Sequence, residues 1–77
     1  MHKYALKTVP QWVYLEIIAI IPEYDQVKVR SDGGNIYALT EHAEGFDIKR
    51  CREGARVRCL VTTRPDLPRV LRVEFDD

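Results

Sequence analysis

Two kinds of side chain that serve nucleic-acid binding, aromatic rings and cations, recur on strand-like segments of this sequence. Trp12 and Tyr14 stand two residues apart, so a β-strand would project both rings from one face. Aromatic rings stack on the bases of a single strand, and a cationic surface follows its phosphates. The candidate residues for this chemistry are Trp12, Tyr14, Lys28, Arg30, Tyr37, Arg56 and Arg58. An alternative place for Trp12 is the end of a barrel, packed as core.

The charges are unevenly distributed along a chain of 77 residues whose formal net charge is zero. Residues 47–72 carry eight Lys and Arg against three Asp and Glu, a net charge of +5. A basic half attracts phosphate, and arginine in particular binds phosphate with a planar fork of donors. The alternative is a solvated strand face on which the arginines pair with neighbouring acids.

Metal binding and catalysis have little support in the sequence. Cys51 and Cys59 are too far apart for a CxxC pair, and His42 is the one imidazole near them. A structural zinc site needs four ligands, commonly in close pairs. We expect Cys59 to be a small buried residue and Cys51 to be exposed among cations and reactive toward thiol reagents. No known catalytic motif is present, so we expect a protein that is not an enzyme and needs no cofactor or metal.

The elements that must position the candidate residues are predicted to be mainly β-strands. Alternating or continuous runs of β-branched and apolar residues predict five strands, at 12–21, 26–30, 35–39, 55–61 and 69–75. The turn sequence SDGG at 31–34 joins the second and third strands as a hairpin. Residues 40–48 predict one or two turns of helix, with Thr40 as N-cap and Gly45 as its end, or alternatively a structured loop.

The alternation also predicts which residues face inward. We expect the inner residues to be Val27, Val29, Val57, Cys59, Leu71 and Val73. Arg56 and Arg58 then face outward, and we expect Tyr37 to project outward beside Lys28 and Arg30.

Five strands with a short helical turn between strands 3 and 4 predict an all-β fold, the OB-fold Greek-key barrel. Another small barrel or sandwich, such as an SH3-like one, fits the same pattern. Residues 1–77 are interpreted as a single domain, in which residues 1–10 form a loosely ordered N-terminal arm.

The stretch from Asp32 to Phe75 resembles the second half of a cold-shock domain. DGGNIYAL is similar to the loop and third strand with that family's second ribonucleoprotein motif, and EGARVRCLV to its fourth strand. RPDLPRVLRV is similar to its last loop and strand. The family's first ribonucleoprotein motif is absent, because Gln26 and Lys28 stand where two stacking aromatics would be. The resemblance implies an OB barrel and single-strand binding in which Tyr37 matches a stacking residue.

These observations lead to one functional hypothesis and one alternative. We expect weak, sequence-tolerant binding of single-stranded nucleic acid, RNA in preference to DNA, by a monomer in the cytoplasm. The most apolar run, at 12–21, is interrupted by Glu16 and is too short to span a bilayer, so no membrane partner is expected. The alternative is a protein-interaction module, or a homodimer, that uses the same barrel face without nucleic acid.

Overall fold

The computed structural model describes residues 9–62 and 69–75, and in this part the chain is all-β. Five strands follow one another: β1 (Gln11–Ile21), β2 (Gln26–Arg30), β3 (Ile36–Leu39), β4 (Arg56–Val61) and β5 (Val70–Glu74). Short 3₁₀ turns lie at Pro22–Tyr24 and Ile48–Arg50. The expected N-terminal arm at 1–10 and the loop at 62–68 fall largely outside the described residues.

The strands form one antiparallel sheet in the order β3-β2-β1-β4-β5, with the long strand β1 at its centre. The first half of β1 pairs with β4, and its second half pairs with β2. A bulge at Ile18 separates the two halves, because Ile17 lies opposite Val29 while Ala19 lies opposite Lys28. A bulge bends the strand and increases its twist. The sheet therefore curls into a half-barrel, which confirms the expected five-stranded OB-type layout.

The open side of the curl is bridged by the segment that follows β3. The amide of Glu44 donates to the carbonyl of Leu71, and the amide of Val73 donates to the carbonyl of Glu44, both at 2.9 Å. Gly45 follows with φ +89°, and a Cβ at this position would lie 2.5 Å from the carbonyl oxygen of Val73. A side chain is thus excluded by both backbone conformation and space, and glycine lets the segment approach β5.

The core lies on the concave face of the sheet and draws on all five strands. Its most deeply buried side chains alternate along the strands, as expected for a sheet with one packed face. The fully buried residues of largest volume are Leu15, Ile17, Leu39, Val27, Val29 and Cys59.

The helical element between β3 and β4 is present, but it lies later in the chain than expected. Thr40 does accept a bond from the amide of His42, at 3.2 Å, yet this supports a single turn and not a helix. The 3₁₀ turn begins after Asp47, whose carboxylate accepts from the amide of Lys49 at 3.1 Å. The strand-like bridge at Glu44 interrupts any helix over 40–48.

The inward position expected for Leu71 is wrong, because the pairing of β5 with β4 contains an irregularity. Leu60 lies opposite Arg72, but Val61 lies opposite Val70, so Leu71 is an extra residue between two paired positions. Val70 takes the inner place and is buried, whereas Leu71 is half-buried. The other five expected inner residues are buried: Val27, Val29, Val57, Cys59 and Val73.

Candidate functional site

The outer face of β1 and β4 carries two exposed aromatic rings beside arginine. Because Leu15 and Ile17 face the core, Trp12 and Tyr14 project from the opposite face of β1. They are 37% and 49% exposed, and they lie opposite Leu60 and Arg58 on β4. The rings and the Arg58 guanidinium therefore share one surface, which we call the aromatic face (Trp12, Tyr14, Arg58 and Leu60).

Arg58 makes two contacts on this face. Its guanidinium carbon lies 4.3 Å from the centre of the Trp12 ring, within the range of a cation–π interaction. Its Nη1 donates to Oε1 of Glu74 at 2.8 Å. Glu74 is available because β5 places it directly opposite Arg58. The cation nearest the aromatic rings is thus held by an acid on the next strand.

The other outer-face arginines are also paired with acids. Arg30 contacts Glu16 at 3.1 Å, since β1 and β2 place the two residues opposite each other. Arg56 reaches Asp32 in the β2–β3 turn at 3.3 Å, and Arg72 reaches Glu44 at 3.5 Å. These pairs are solvent-exposed, and such pairs contribute about 0–1 kcal/mol each. The arginines are accordingly neutralised, but by contacts weak enough to be exchanged.

Lys28 lies apart from the aromatic face. It stands on the outer side of β2, opposite Ala19 and Ala38, beyond the bulge in β1. Over residues 9–62 and 69–75 it has no ion-pair partner. The structure therefore brings Trp12, Tyr14, Arg56 and Arg58 together, while Arg30 adjoins them through Glu16 and Lys28 belongs to the far half of the sheet.

The outward orientation expected for Tyr37 is wrong. Tyr37 lies opposite Val29, and paired residues of an antiparallel ladder share a face, so its ring packs against the core. The outward places on β3 belong to Ala38, opposite Lys28, and to Ile36, which is opposite Arg30 and 57% exposed. The signal was in the sequence, because Leu39 has the same parity as Tyr37 and is the stronger core residue.

The two cysteines are free thiols, and both are buried. The exposed position expected for Cys51 is wrong, because its side chain is 6% exposed and donates to the carbonyl of Asp47 at 3.6 Å. Burial, together with the nearby Asp47 carboxylate, raises the pKa of the Cys51 thiol. Burial, and then the neighbouring Cys51, raises the pKa of Cys59 to about 12. Neither thiol is thus an activated nucleophile at neutral pH.

The described ranges contain neither a candidate metal cluster nor a candidate membrane-spanning helix. No three His, Cys, Asp or Glu side chains there come close enough together to hold a metal ion. No helix in these ranges has the length and apolar character needed to cross a bilayer.

Comparison with known proteins supports the fold and adds no family. No protein-family model matches the chain, and no curated protein matches it. A solved structure with a similar fold is that of apo-CusF, residues 6–88, from Escherichia coli, with a TM-score of 0.58 and 11% sequence identity. The superposition covers 100% of this chain and 96% of that chain. That protein is a small five-stranded barrel with an OB-like fold, whereas the cold-shock resemblance receives no support from a family model.

Proposed function

We propose that the aromatic face binds single-stranded RNA or DNA. The observation that carries the proposal is the pair of exposed rings, Trp12 and Tyr14, on one face of β1. Arg58 lies opposite Tyr14, and its guanidinium lies over the Trp12 ring. Alternate residues of a strand stand about 7 Å apart, so the two rings offer separate places for two bases. Stacking is tolerant of sequence because every base has a π-face.

The arginines would supply the contacts to phosphate. Arg58 and Arg56 flank Tyr14 and Glu16 on the neighbouring strand, so their side chains border the rings. A phosphate that approaches them replaces carboxylates in exposed pairs, an exchange that costs little. The free bases of a single strand can stack on the rings, whereas the paired bases of a duplex cannot.

The affinity should be modest, because the acids beside the arginines also repel phosphate. With about two or three cations engaged, the logarithm of the affinity should fall with the logarithm of salt concentration at a slope of roughly −1.4 to −2. Each stacked base contributes about 1–3 kcal/mol by alanine substitution.

Fluorescence anisotropy of a labelled single-stranded oligonucleotide over a series of salt concentrations tests the proposal. We expect Tyr14→Ala to weaken binding at every salt concentration by about 1–3 kcal/mol, because stacking releases no ions. Arg56→Ala should instead flatten the salt slope by roughly one phosphate contact.

A matched aromatic control is Tyr24→Ala. Tyr24 is 76% exposed but lies on the 3₁₀ turn at the other end of β1, away from the aromatic face. We expect the Tyr24→Ala variant to bind the oligonucleotide as tightly as the unmodified protein does. Equal losses for Tyr14→Ala and Tyr24→Ala, or no binding at low salt with high micromolar protein, would overturn the proposal.

The second candidate function is a protein-interaction module or homodimer that uses the same face. The pairing of Arg30, Arg56, Arg58 and Arg72 with acids favours it, because a surface neutralised by its own acids has little attraction for phosphate. Sedimentation velocity over a range of concentrations distinguishes this function. It predicts concentration-dependent association that Tyr14→Ala weakens, with no binding of oligonucleotide.

A further inference from the structure

Three side chains on adjacent strands form a contact series across the outer face. Trp12 on β1 is covered by the Arg58 guanidinium from β4 at 4.3 Å, and Glu74 on β5 holds that guanidinium at 2.8 Å. The backbone places Glu74 directly opposite Arg58, so the ion pair follows from the register of the sheet. Arg58 and Glu74 are both about half exposed, so solvent and ligands can reach the pair.

The position of the Arg58 guanidinium restricts base stacking on Trp12 in the free protein. The face of the indole ring under Arg58 is occupied, so a base cannot stack on that face until the guanidinium moves. A phosphate and the Glu74 carboxylate compete for the same guanidinium donors, because arginine binds both groups with the same fork geometry. A ligand phosphate is therefore a group that could draw Arg58 away from Glu74 and uncover the ring.

We propose that Glu74 is a positioning residue that latches Arg58 over Trp12, and that a ligand phosphate releases this latch. The inference rests on the proposed binding of single strands and adds to it the chemistry that the face requires. The ligand must present a phosphate to Arg58. It must also carry, next to that phosphate, a base that can replace the guanidinium on the Trp12 ring. A nucleotide unit of a single strand meets this requirement, whereas a nucleoside lacks the phosphate and inorganic phosphate lacks the base.

The test compares Glu74→Gln with Glu16→Gln. Both variants remove one acid from an arginine pair on the outer face, but the Glu16 partner, Arg30, is not the cation over Trp12. We expect Glu74→Gln to tighten oligonucleotide binding by about two- to fivefold. This is the change in a binding constant that follows from losing one of the stronger exposed ion pairs. Glu16→Gln should give a smaller gain, due to charge alone. Equal gains for the two variants would overturn the latch.

A Trp12→Ala background separates the latch from a simple change of charge. Without the ring, release of Arg58 uncovers no stacking surface, so the gain from Glu74→Gln should shrink to that from Glu16→Gln. An undiminished gain in this background would show that Glu74 acts on phosphate alone, which contradicts the proposal.

Quenching of Trp12 fluorescence by acrylamide tests the latch without any nucleic acid. Trp12 is the single tryptophan of the chain, so the signal reports on this ring alone. We expect a larger Stern–Volmer constant for Glu74→Gln than for the unmodified protein, and an unchanged constant for Glu16→Gln. If no variant binds oligonucleotide but this difference is present, the proposed function and the release by a ligand phosphate both fail, and only the positioning of Arg58 by Glu74 stands. If binding is present but quenching is the same in all three proteins, the latch fails and the proposed function stands.

Discussion

Gly45 offers a sharp test of how the half-barrel is bridged. Its φ is +89°, and a Cβ would meet the carbonyl oxygen of Val73 at 2.5 Å. Gly54 has nearly the same φ, +88°, but nothing within 4 Å of its Cβ position. The substitutions Gly45→Ala and Gly54→Ala therefore share the conformational cost of a positive φ and differ in the steric clash.

The expected losses of stability follow from the conformational cost of a positive φ and from the steric clash. A left-handed conformation costs an L-residue about 1–2 kcal/mol, and about 0.4–1 kcal/mol is recovered from the smaller entropy of the unfolded chain. We thus expect Gly54→Ala to destabilise by about 0–1.5 kcal/mol on those values. At Gly45 the carbonyl must also move, which disturbs the two bonds that join Glu44 to β5. Each bond contributes about 0.5–1.5 kcal/mol, so Gly45→Ala should cost about 1–3 kcal/mol more than Gly54→Ala.

Urea unfolding of the two variants and the unmodified protein measures the difference. A lower midpoint with an unchanged m-value reports a loss of stability without a change in the surface exposed on unfolding. In thermal unfolding, each kcal/mol corresponds to about 4–8 °C for a domain of this size. If Gly45→Ala is no less stable than Gly54→Ala, the segment after β3 does not approach β5 as described, and the account of the bridge is refuted.

Three further predictions concern the register of β5 and the buried thiols. Val70→Ala should reduce stability by about 1–3 kcal/mol. This loss should exceed that of Leu71→Ala, although leucine is larger, because Val70 is the buried residue of the pair. A greater loss for Leu71→Ala in urea unfolding would place the bulge elsewhere. The pKa of Cys59 is raised to about 12 in the folded protein, so the unfolded state loses its thiol proton first as pH rises. Stability should therefore fall above about pH 9, by at most about 1.4 kcal/mol per pH unit for this group, and Cys59→Ala should flatten that fall in unfolding at pH 8, 9 and 10. Both Cys51 and Cys59 should react with a thiol reagent only on unfolding, and rapid labelling of Cys51 in the folded protein would contradict its burial.

Much of the fold could be predicted from the sequence, because it depends on local patterns. The alternation at 26–30 and 55–61 marks half-buried strands, and the burial of Val27, Val29, Val57 and Cys59 confirms it. The turn SDGG places β2 and β3 side by side, as the sheet shows. Five strands and a short turn before β4 are enough to limit the fold to a small barrel or sandwich, such as the OB-fold.

The candidate site could be predicted only in part. The parity of Trp12 and Tyr14 placed both rings on one face of a strand, and parity also placed Arg58 on the outer face of β4. The contact between Arg58 and Trp12, and the acid that holds Arg58, depend on which strands are neighbours and in what register. Glu74 is 16 positions from Arg58 in the chain, so no local pattern connects them.

Local alternation along each strand was therefore determined by the sequence alone, because the pleat of a strand sends neighbouring side chains to opposite faces. The tertiary structure decided how one strand's alternation aligns with that of the next. It moved Leu71 out of the core through one extra residue in β5, and it buried Cys51 among residues distant in the chain. Each outcome depends on pairing register and long-range packing, and a shift of one residue in register reverses every side chain of a strand.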